Sequence, residues 1–390
     1  MTTAAMLLFI TSPICAGEVD AAGDRCVRVD GEAFFPIGVY SAGATVDFPM
    51  LADAGFNTVH TYGWEGVRNY DAGVQWLDAA QDSGLMALVG LYRPDVYEMN
   101  WDASVKRIQD VRDHPALLAW QTMDEPSWDR EGNMGKDYMP AAYDLLKQHD
   151  PGHPVTAVVC HFGDTTLFEP DVDIMQADYY AVPPIPAVNF SGTGFHGVKL
   201  FVDKWRAASG GEKPYWYVAQ GFDFSVSKAE SHEIADEWQR APNRDEIRCM
   251  TYTAVASGAR GILYWSLSRL LGDEWSRSPL SRVKLWEDLC SVVGELNALM
   301  PLLASDSPEH IQDHDRVVSM IKSDGEATHI IVVNYERREV ETIVEIPDVE
   351  NAAAEHVFRE GAETIAEGKL SLSLEPLEVR VLRIQPVSAQ

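Results

Sequence analysis

The sequence predicts an α/β chain that folds as a (β/α)8 barrel, the TIM barrel, followed by an antiparallel β-sandwich. Three observations lead to this fold class. Eight short apolar runs recur between residues 34 and 267, segments of helical period stand between them, and short alternating runs replace both from about residue 308. We therefore assign residues 30–304 to the barrel and residues 305–390 to the sandwich.

Each predicted barrel strand is a short apolar run with polar residues on either side. The runs are continuous rather than alternating, which is typical of parallel strands that are buried on both faces. The eight runs are FFPIGVY (34–40), FNTVHTYGW (56–64), LMALVGLY (85–92), ALLAWQTMDE (116–125), PVTAVVC (154–160), VDIMQADYY (172–180), YWYVAQGF (215–222) and GILYWSL (261–267).

Segments of helical period occupy the intervals between these strands, for example DAGVQWLDAAQDSG before the third and WDASVKRIQDVRDH before the fourth. Several end on a glycine just before the next strand, as at Gly55, Gly84 and Gly258, where a helix stop is expected. A doubly wound sheet is the alternative, but it usually has fewer strands, and no glycine-rich phosphate loop follows the first strand. The number of units and their length favour the barrel.

The last part of the chain alternates polar and apolar residues in short runs, from VVSMIKS to KLSLSLEPLEVRVLRI, with turns such as SDGEA between them. No helical segment intervenes, so these runs predict antiparallel strands of a sandwich. Nothing in this domain indicates chemistry, and we expect it to pack against the barrel.

Composition excludes some classes of partner. The chain has 390 residues, 46% of them hydrophobic, and 11 tryptophans, which is enough for a large core. Its net charge of −29 argues against binding to nucleic acid or to an anionic membrane, because both would repel it. No segment after the N-terminus has about 18 consecutive apolar residues, so no membrane-spanning helix is predicted.

The N-terminus resembles a secretory signal over residues 1–17. An apolar core runs from Ala4 to Ile14, and the small residues Cys15, Ala16 and Gly17 follow it, although no Lys or Arg precedes the core. The pattern predicts that the protein is secreted or periplasmic.

Five cysteines are scattered along the chain, at Cys15, Cys26, Cys160, Cys249 and Cys290. None belongs to a CxxC motif and no histidine cluster accompanies them, so the sequence contains no zinc or redox motif. Their spacing does not indicate a disulfide framework, and we predict no metal and no organic cofactor.

Polar and aromatic residues stand where the barrel strands end, which is where enzymes of this fold carry their chemistry. Strand four stops on Asp124 and Glu125, directly before Pro126. Rings and hydroxyls suit a sugar, which stacks on aromatic faces and needs many hydrogen bonds, so we predict a carbohydrate partner. The predicted sugar-binding residues are Tyr40, His60, Tyr62, Tyr92, His161, Tyr179, Tyr180, Gln220 and Trp265, and Asp178 ends strand six as a further acid.

A carboxyl group in such a pocket can protonate a glycosidic oxygen. Adjacent residues of a strand point to opposite sides, so Asp124 and Glu125 can both face the pocket only if the strand bends. The alternative is that the two acids cap the turn that follows the strand.

The motif WQTMDEP, preceded by HPALLA, resembles the fourth-strand signature of clan A glycoside hydrolases, the (β/α)8 superfamily of β-galactosidases and cellulases. LLKQHDPGHPV before strand five and GARGILYWS at strand eight are also similar to that superfamily. The resemblance implies hydrolysis of a glycosidic bond, with Glu125 as the general acid. It departs from the superfamily at strand seven, where YVAQGFD places Gln220 at the position of the usual nucleophilic glutamate.

Three interpretations accommodate this departure. In the first, Asp178 is the second carboxylate, and its separation from Glu125 sets the outcome, roughly 5 Å for retention and about 6.5–9.5 Å for inversion. In the second, Asp124 orients the acetamido group of a 2-acetamido sugar as an internal nucleophile while Glu125 protonates the leaving group. Tyr179 or Tyr180 would then hold the acetamido oxygen. In the third, Gln220 marks a carbohydrate-binding homologue without turnover.

Overall fold

The computed structural model describes residues 19–21, 25–40, 42–43, 46–62, 70–91, 101–127, 134–182, 194–222, 240–267 and 279–384. The predicted signal, residues 1–17, and the predicted sugar-binding residue Tyr92 lie outside these ranges.

A small antiparallel sheet precedes the barrel, made of β1 (Val19–Asp20), β2 (Val27–Val29) and β3 (Glu32–Phe34). The sequence analysis did not predict it, because strands of two or three residues are too short to show a period. Val19 and Val27 are buried in the cluster that fills the barrel interior, together with residues near the starts of the barrel strands. The sheet therefore covers the end of the barrel at which the strands begin.

The predicted barrel is confirmed, since eight parallel strands form a closed barrel in the order of the chain. Each strand lies within the apolar run that predicted it. The strands are β4 (Ile37–Val39), β5 (Thr58–Thr61), β6 (Met86–Gly90), β7 (Leu117–Asp124), β8 (Val155–Val159), β9 (Ile174–Asp178), β10 (Tyr215–Gln220) and β11 (Ile262–Trp265). We call the end at which the strands begin the lower end, and the end at which they finish the upper end.

Helices surround the barrel, and three of the predicted helix stops, Gly55, Gly84 and Gly258, have positive φ. Helix α7 starts at a capping box, because the Asn243 side chain accepts from the Glu246 N–H and Glu246 accepts from the Asn243 N–H, both at 3.0 Å. The helices are α1 (Phe48–Asp53), α2 (Tyr70–Asp82), α3 (Trp101–Val111), α4 (Met134–His149), α5 (Asp164–Leu167), α6 (His196–Ala208), α7 (Arg244–Ala256), α8 (Pro279–Ala298) and α9 (Met300–Leu303).

The C-terminal part forms an eight-stranded antiparallel sheet that folds as a sandwich-like domain, as predicted. Two of its strands, β12 and β17, were not predicted, since HIQD and AETIA each contain a single large apolar residue, Ile311 and Ile365. The strands are β12 (His310–Asp313), β13 (Val317–Ser323), β14 (Thr328–Asn334), β15 (Val340–Glu345), β16 (Ala352–His356), β17 (Ala362–Ala366), β18 (Lys369–Leu374) and β19 (Val379–Ile384).

Helix α7 joins the two domains. The Arg248 Nη1 donates to the Val379 carbonyl at 2.8 Å, and the Arg337 Nη2 donates to the Glu246 carboxylate at 2.7 Å. Because Glu246 also caps its own helix, one buried carboxylate holds both the helix and the domain contact.

Cys160, Cys249 and Cys290 form no disulfide with any residue that the structure describes. In the part of the chain that the structure describes, no helix has the length and apolar character needed to cross a membrane.

Candidate active site

The candidate site lies at the upper end of the barrel, where the fold brings the ends of several strands together. Asp124 ends β7 and Asp178 ends β9, while Tyr180 follows β9 by two residues. Tyr62 comes directly after β5, and Trp265 is the last residue of β11. Four different strands therefore supply the side chains of one site.

Strand β7 bends where its two acids stand. Its pairing with β8 is irregular between Gln121 and Asp124, and Glu125 has a φ of +51°, in the left-handed region. The Glu125 N–H still donates to the Val158 carbonyl at 2.9 Å, so the bend keeps the strand paired. The negative charges of Glu125 and Asp124 both raise the pKa of Asp178, which places both carboxylates near it.

We call Asp124, Glu125 and Asp178 the acidic cluster. The pKa of Asp178 is raised well above its usual value, first because its carboxyl group is buried and then because of the charges of Glu125 and Asp124. Like charges that lie close together do not all ionise at once, so Asp178 keeps its proton to a higher pH than a solvated aspartate does.

Two tyrosines and a tryptophan adjoin the acidic cluster. The Trp265 Nε1 donates to the Tyr62 hydroxyl at 3.2 Å, and the Tyr62 hydroxyl donates to the Asp124 Oδ2 at 3.1 Å. On the other side, the Tyr180 hydroxyl donates to the Asp178 Oδ2 at 3.0 Å.

The rings of Tyr180, Phe222 and Trp265 form an aromatic wall beside the acids. Their centroids are 4.9 Å apart for Tyr180 and Phe222, 4.9 Å for Phe222 and Trp265, and 5.9 Å for Tyr180 and Trp265. Such a wall offers a sugar an apolar face next to groups that can transfer protons.

Below the acids, a hydrogen-bonded layer fills the barrel interior. The Tyr40 hydroxyl lies 2.6 Å from the Gln176 Oε1 and 2.9 Å from the Gln121 Oε1, and the Gln176 Nε2 donates to the Thr156 hydroxyl at 2.9 Å. His60 stacks on Tyr40 with ring centroids 3.9 Å apart. Tyr40 and His60 are almost fully buried, so they support the acidic cluster from beneath.

Burial keeps His60 neutral, since it lowers the pKa of the imidazole to about 3. A neutral ring adds no positive charge under the acids, which leaves the negative potential of the cluster in place.

Gln220 ends β10, at the position where the resemblance places a nucleophilic glutamate. Its Oε1 accepts from the Val182 N–H at 3.0 Å, and its Nε2 donates to the carbonyls of Val182 and Phe222. The side chain is fully buried and ties together the segments that follow β9 and β10. A glutamate there would set a carboxylate against two carbonyl oxygens, so these contacts require an amide.

The Tyr179 ring faces away from the acidic cluster. The Tyr179 ring packs against Phe162 and Phe201, and a Cβ atom on Gly197 of α6 would lie 2.1 Å from it. Tyr179 therefore faces the helices, on the opposite side of the chain from Tyr180. His161 is half-buried in the turn after β8, where its carbonyl accepts from the Asp164 N–H at 3.0 Å.

That turn is tied to the loop after β7, because the Ser127 hydroxyl donates to the Asp164 Oδ1 at 2.7 Å. Burial raises the pKa of Asp164, and the bond from Ser127 opposes this increase. The contact fixes the loop that follows the acidic pair.

The residues that surround the acids inside the barrel were not predicted. Burial, together with the charges of Glu125 and Asp178, raises the pKa of the Cys160 thiol, which stays protonated. Gln121 and Gln176 were also missed. The signal for Gln176 was its place two residues before Asp178 in an otherwise apolar strand, which puts both on one face.

Among the described residues, no group of three or more histidines, cysteines and acids is arranged to hold a metal ion.

Comparison by sequence gives no match, either to a model of a protein family or to a curated protein. Comparison by structure gives many. A protein described as a glycoside hydrolase is 15% identical, with a TM-score of 0.67 over 97% of this chain and 99% of its own. A family 27 β-L-arabinopyranosidase from Geobacillus stearothermophilus is 11% identical, with a TM-score of 0.59 over 91% of this chain and 97% of its own.

An α-amylase from Anoxybacillus is 9% identical, with a TM-score of 0.54 over 91% of this chain and 99% of its own. The arabinopyranosidase has also been solved as a variant in complex with arabinose. At these identities the likeness is one of fold. This chain shares the barrel and the C-terminal domain with solved glycoside hydrolases over nearly its whole length.

Proposed function

We propose that the protein is a glycoside hydrolase in which Glu125 is the general acid. The observation that carries the proposal is the acidic cluster at the upper end of the barrel, in which burial and the charges of Glu125 and Asp124 raise the pKa of Asp178. Hydrolysis of a glycosidic bond needs one carboxyl that gives a proton and a second that is ionised. The shared fold supports the same reaction class.

Asp178 is the second carboxylate in this proposal. In the reactive state of this proposal, Glu125 carries a proton and donates it to the glycosidic oxygen. The ionised Asp178 then attacks the sugar carbon or stabilises the positive charge that develops there. The charge of Glu125 raises the pKa of Asp178 more than any other charge does, which supports a close pair of carboxyl groups. A separation of roughly 5 Å would give retention of configuration, with Asp178 as the nucleophile that Gln220 cannot be, and one of about 6.5–9.5 Å would give inversion.

Trp265, Tyr62 and Tyr180 would hold the sugar, through the aromatic wall and the two tyrosine hydroxyls that already contact the acids. The substrate class that suits these groups is an oligo- or polysaccharide.

A second candidate is substrate-assisted hydrolysis of a 2-acetamido sugar. The observation that favours it is the bend of β7, which turns both Asp124 and Glu125 towards the site. Asp124, held by Tyr62, would then orient the acetamido group as an internal nucleophile, and Tyr180 would bind its oxygen.

The test is hydrolysis of a broad panel of polysaccharides and aryl glycosides, including 2-acetamido glycosides, by the wild type and by Glu125→Gln. We expect cleavage by the wild type and a loss of about 10²–10⁴-fold in kcat in the variant, with sugar binding retained in calorimetry. Aryl glycosides with very acidic leaving groups should lose least, because they need little protonation.

Glu287→Gln is the matched control, since it removes an exposed carboxylate from α8 and should leave kcat unchanged. Cleavage restricted to 2-acetamido glycosides would select the second candidate, and retained activity in Glu125→Gln would refute both. Binding without cleavage across the panel would identify a carbohydrate-binding homologue.

A further inference from the structure

A small cavity lies at the lower end of the barrel, far from the acidic cluster. It is bordered by the loop that leads into β10, by the turn before β11, by α6 and by residues on either side of the barrel domain. The volume of the cavity is about 20 Å³, enough for one water molecule or one monoatomic ion. We call it the basic cavity, and its charged lining residues are Arg25, Arg206, Lys213, Arg260 and Glu309.

The lining is strongly cationic, although the whole chain has a net charge of −29. Glu309 is shared, since its carboxylate lies 3.1 Å from the Arg260 Nη2 and 3.5 Å from the Arg25 Nη1. Lys213 is neutralised by Glu169, 2.7 Å away. Arg206 forms no ion pair with any residue that the structure describes, so positive charge is left over in the cavity.

Burial strengthens the electrostatic effect of this excess positive charge. The side chain of Arg260 is only 8% exposed and that of Glu309 only 3%. The Arg260 Nε is buried without an acceptor, and so is the Nζ of Lys322, a buried residue of β13. Burial, and then the charge of Arg260, lower the pKa of Lys322 to about 8.

A glycine keeps the space open. Gly258 has a φ of +104°, and a Cβ atom built on it would lie 2.7 Å from the Arg206 Nη2 and 3.3 Å from the Glu309 Oε1. A side chain at this position would therefore fill the volume between the arginine and the carboxylate.

We propose that the basic cavity binds a small inorganic anion of about the size of chloride. The anion accepts a hydrogen bond from the Arg206 guanidinium. It balances the positive charge of the cavity that remains after Glu309 has paired with Arg25 and Arg260. Arg25 precedes β2, Arg260 precedes β11 and Glu309 precedes β12, so the anion stabilises the junction of the N-terminal sheet, the barrel and the C-terminal domain.

The test is thermal unfolding of the full chain, dialysed free of halide and titrated with sodium chloride or with sodium gluconate at equal ionic strength. Gluconate screens charge equally but is too large for the cavity. We expect the wild-type Tm to rise with chloride beyond its rise with gluconate. In Arg206→Gln the chloride dependence should shift to concentrations about tenfold higher or more, as expected when one charged hydrogen bond is lost.

Lys204→Gln is the matched control, because it removes the same charge from an exposed position of α6 and should keep the wild-type response. Equal responses to chloride and gluconate in the wild type, or an unchanged response in Arg206→Gln, would overturn the proposal. Crystals soaked in bromide give an independent answer that needs no variant. An anomalous peak beside Arg206 supports the site, and an empty cavity at molar bromide rejects it.

Discussion

Each end of the barrel buries a carboxylate, and the charges next to these two carboxylates have opposite signs. At the upper end, Asp178 is 9% exposed and lies beside Glu125 and Asp124, whose negative charges raise its pKa. At the lower end, the Glu309 side chain is 3% exposed and lies between Arg25 and Arg260. Cations stabilise the charged form of a buried carboxylate, whereas neighbouring carboxylates favour its protonated form, so the sign of the neighbouring charge distinguishes the two buried acids better than their burial does.

The largest expected effect comes from removing the acid at the upper end. Asp178→Asn should lower kcat/KM by about 10²–10⁴-fold, because the amide can neither attack nor act as a base. The same change should make the protein more stable at neutral pH. The pKa of Asp178 is higher in the folded protein than its ordinary value near 3.8. The free energy of unfolding of the wild type is therefore highest below pH 3.8, and it falls as the pH rises through the pKa that Asp178 has in the folded protein.

The measurements are steady-state kinetics and urea unfolding between about pH 4 and 8. The variant should show a flatter dependence of unfolding free energy on pH than the wild type. A variant with unchanged kcat/KM would remove Asp178 from the reaction, and an unchanged pH slope would contradict its raised pKa.

The opposite pattern is expected at the lower end. Glu309→Gln should destabilise the fold by about 3 kcal/mol, because it leaves Arg260 buried without its counter-charge. Its kcat/KM, measured below the unfolding transition, should equal that of the wild type, since the residue lies at the end of the barrel away from the acids. If Glu309→Gln lost activity but kept the wild-type stability, Glu309 would contribute to the reaction and not to the stability of the fold.

A smaller effect should separate two adjacent tyrosines at the upper end. The Tyr180 hydroxyl donates to Asp178 and lowers the pKa of that carboxyl group, so Tyr180→Phe should raise it. We expect kcat/KM to fall by about tenfold and the acidic limb of the pH profile of kcat/KM to move to higher pH. Tyr179→Phe should leave the pH profile of kcat/KM in place, because that ring packs against α6. Equal profiles in both variants would mean that Tyr180 does not act on Asp178.

Most of the fold could be predicted from the sequence because buried parallel strands leave a direct signal, a continuous apolar run. β1 to β3, β12 and β17 could not, since they are short or contain a single large apolar residue and are held by pairing with another strand. Their formation is decided by tertiary contacts that no local pattern contains.

The positions of the acids of the candidate site along the strands could be predicted, but their contacts could not. Asp124, Glu125 and Asp178 were expected at strand ends, where the structure places them. The bend that turns both neighbouring acids inward had no local signal, because glutamate rarely adopts positive φ. The amide contacts of Gln220 were equally hidden, since its partners lie in two different loops.

The left-handed backbone conformation of Glu125 favours replacement of this residue by glycine during evolution. Glycine adopts this conformation freely, whereas a residue with a Cβ atom is strained there by roughly 1 kcal/mol or more. A lineage that no longer used the carboxylate would gain stability by replacing it, and Glu125→Gly is a single-nucleotide step from either glutamate codon. Laboratory selection of this protein for heat resistance alone should therefore discard Glu125 early, whereas selection that also demands turnover should keep it.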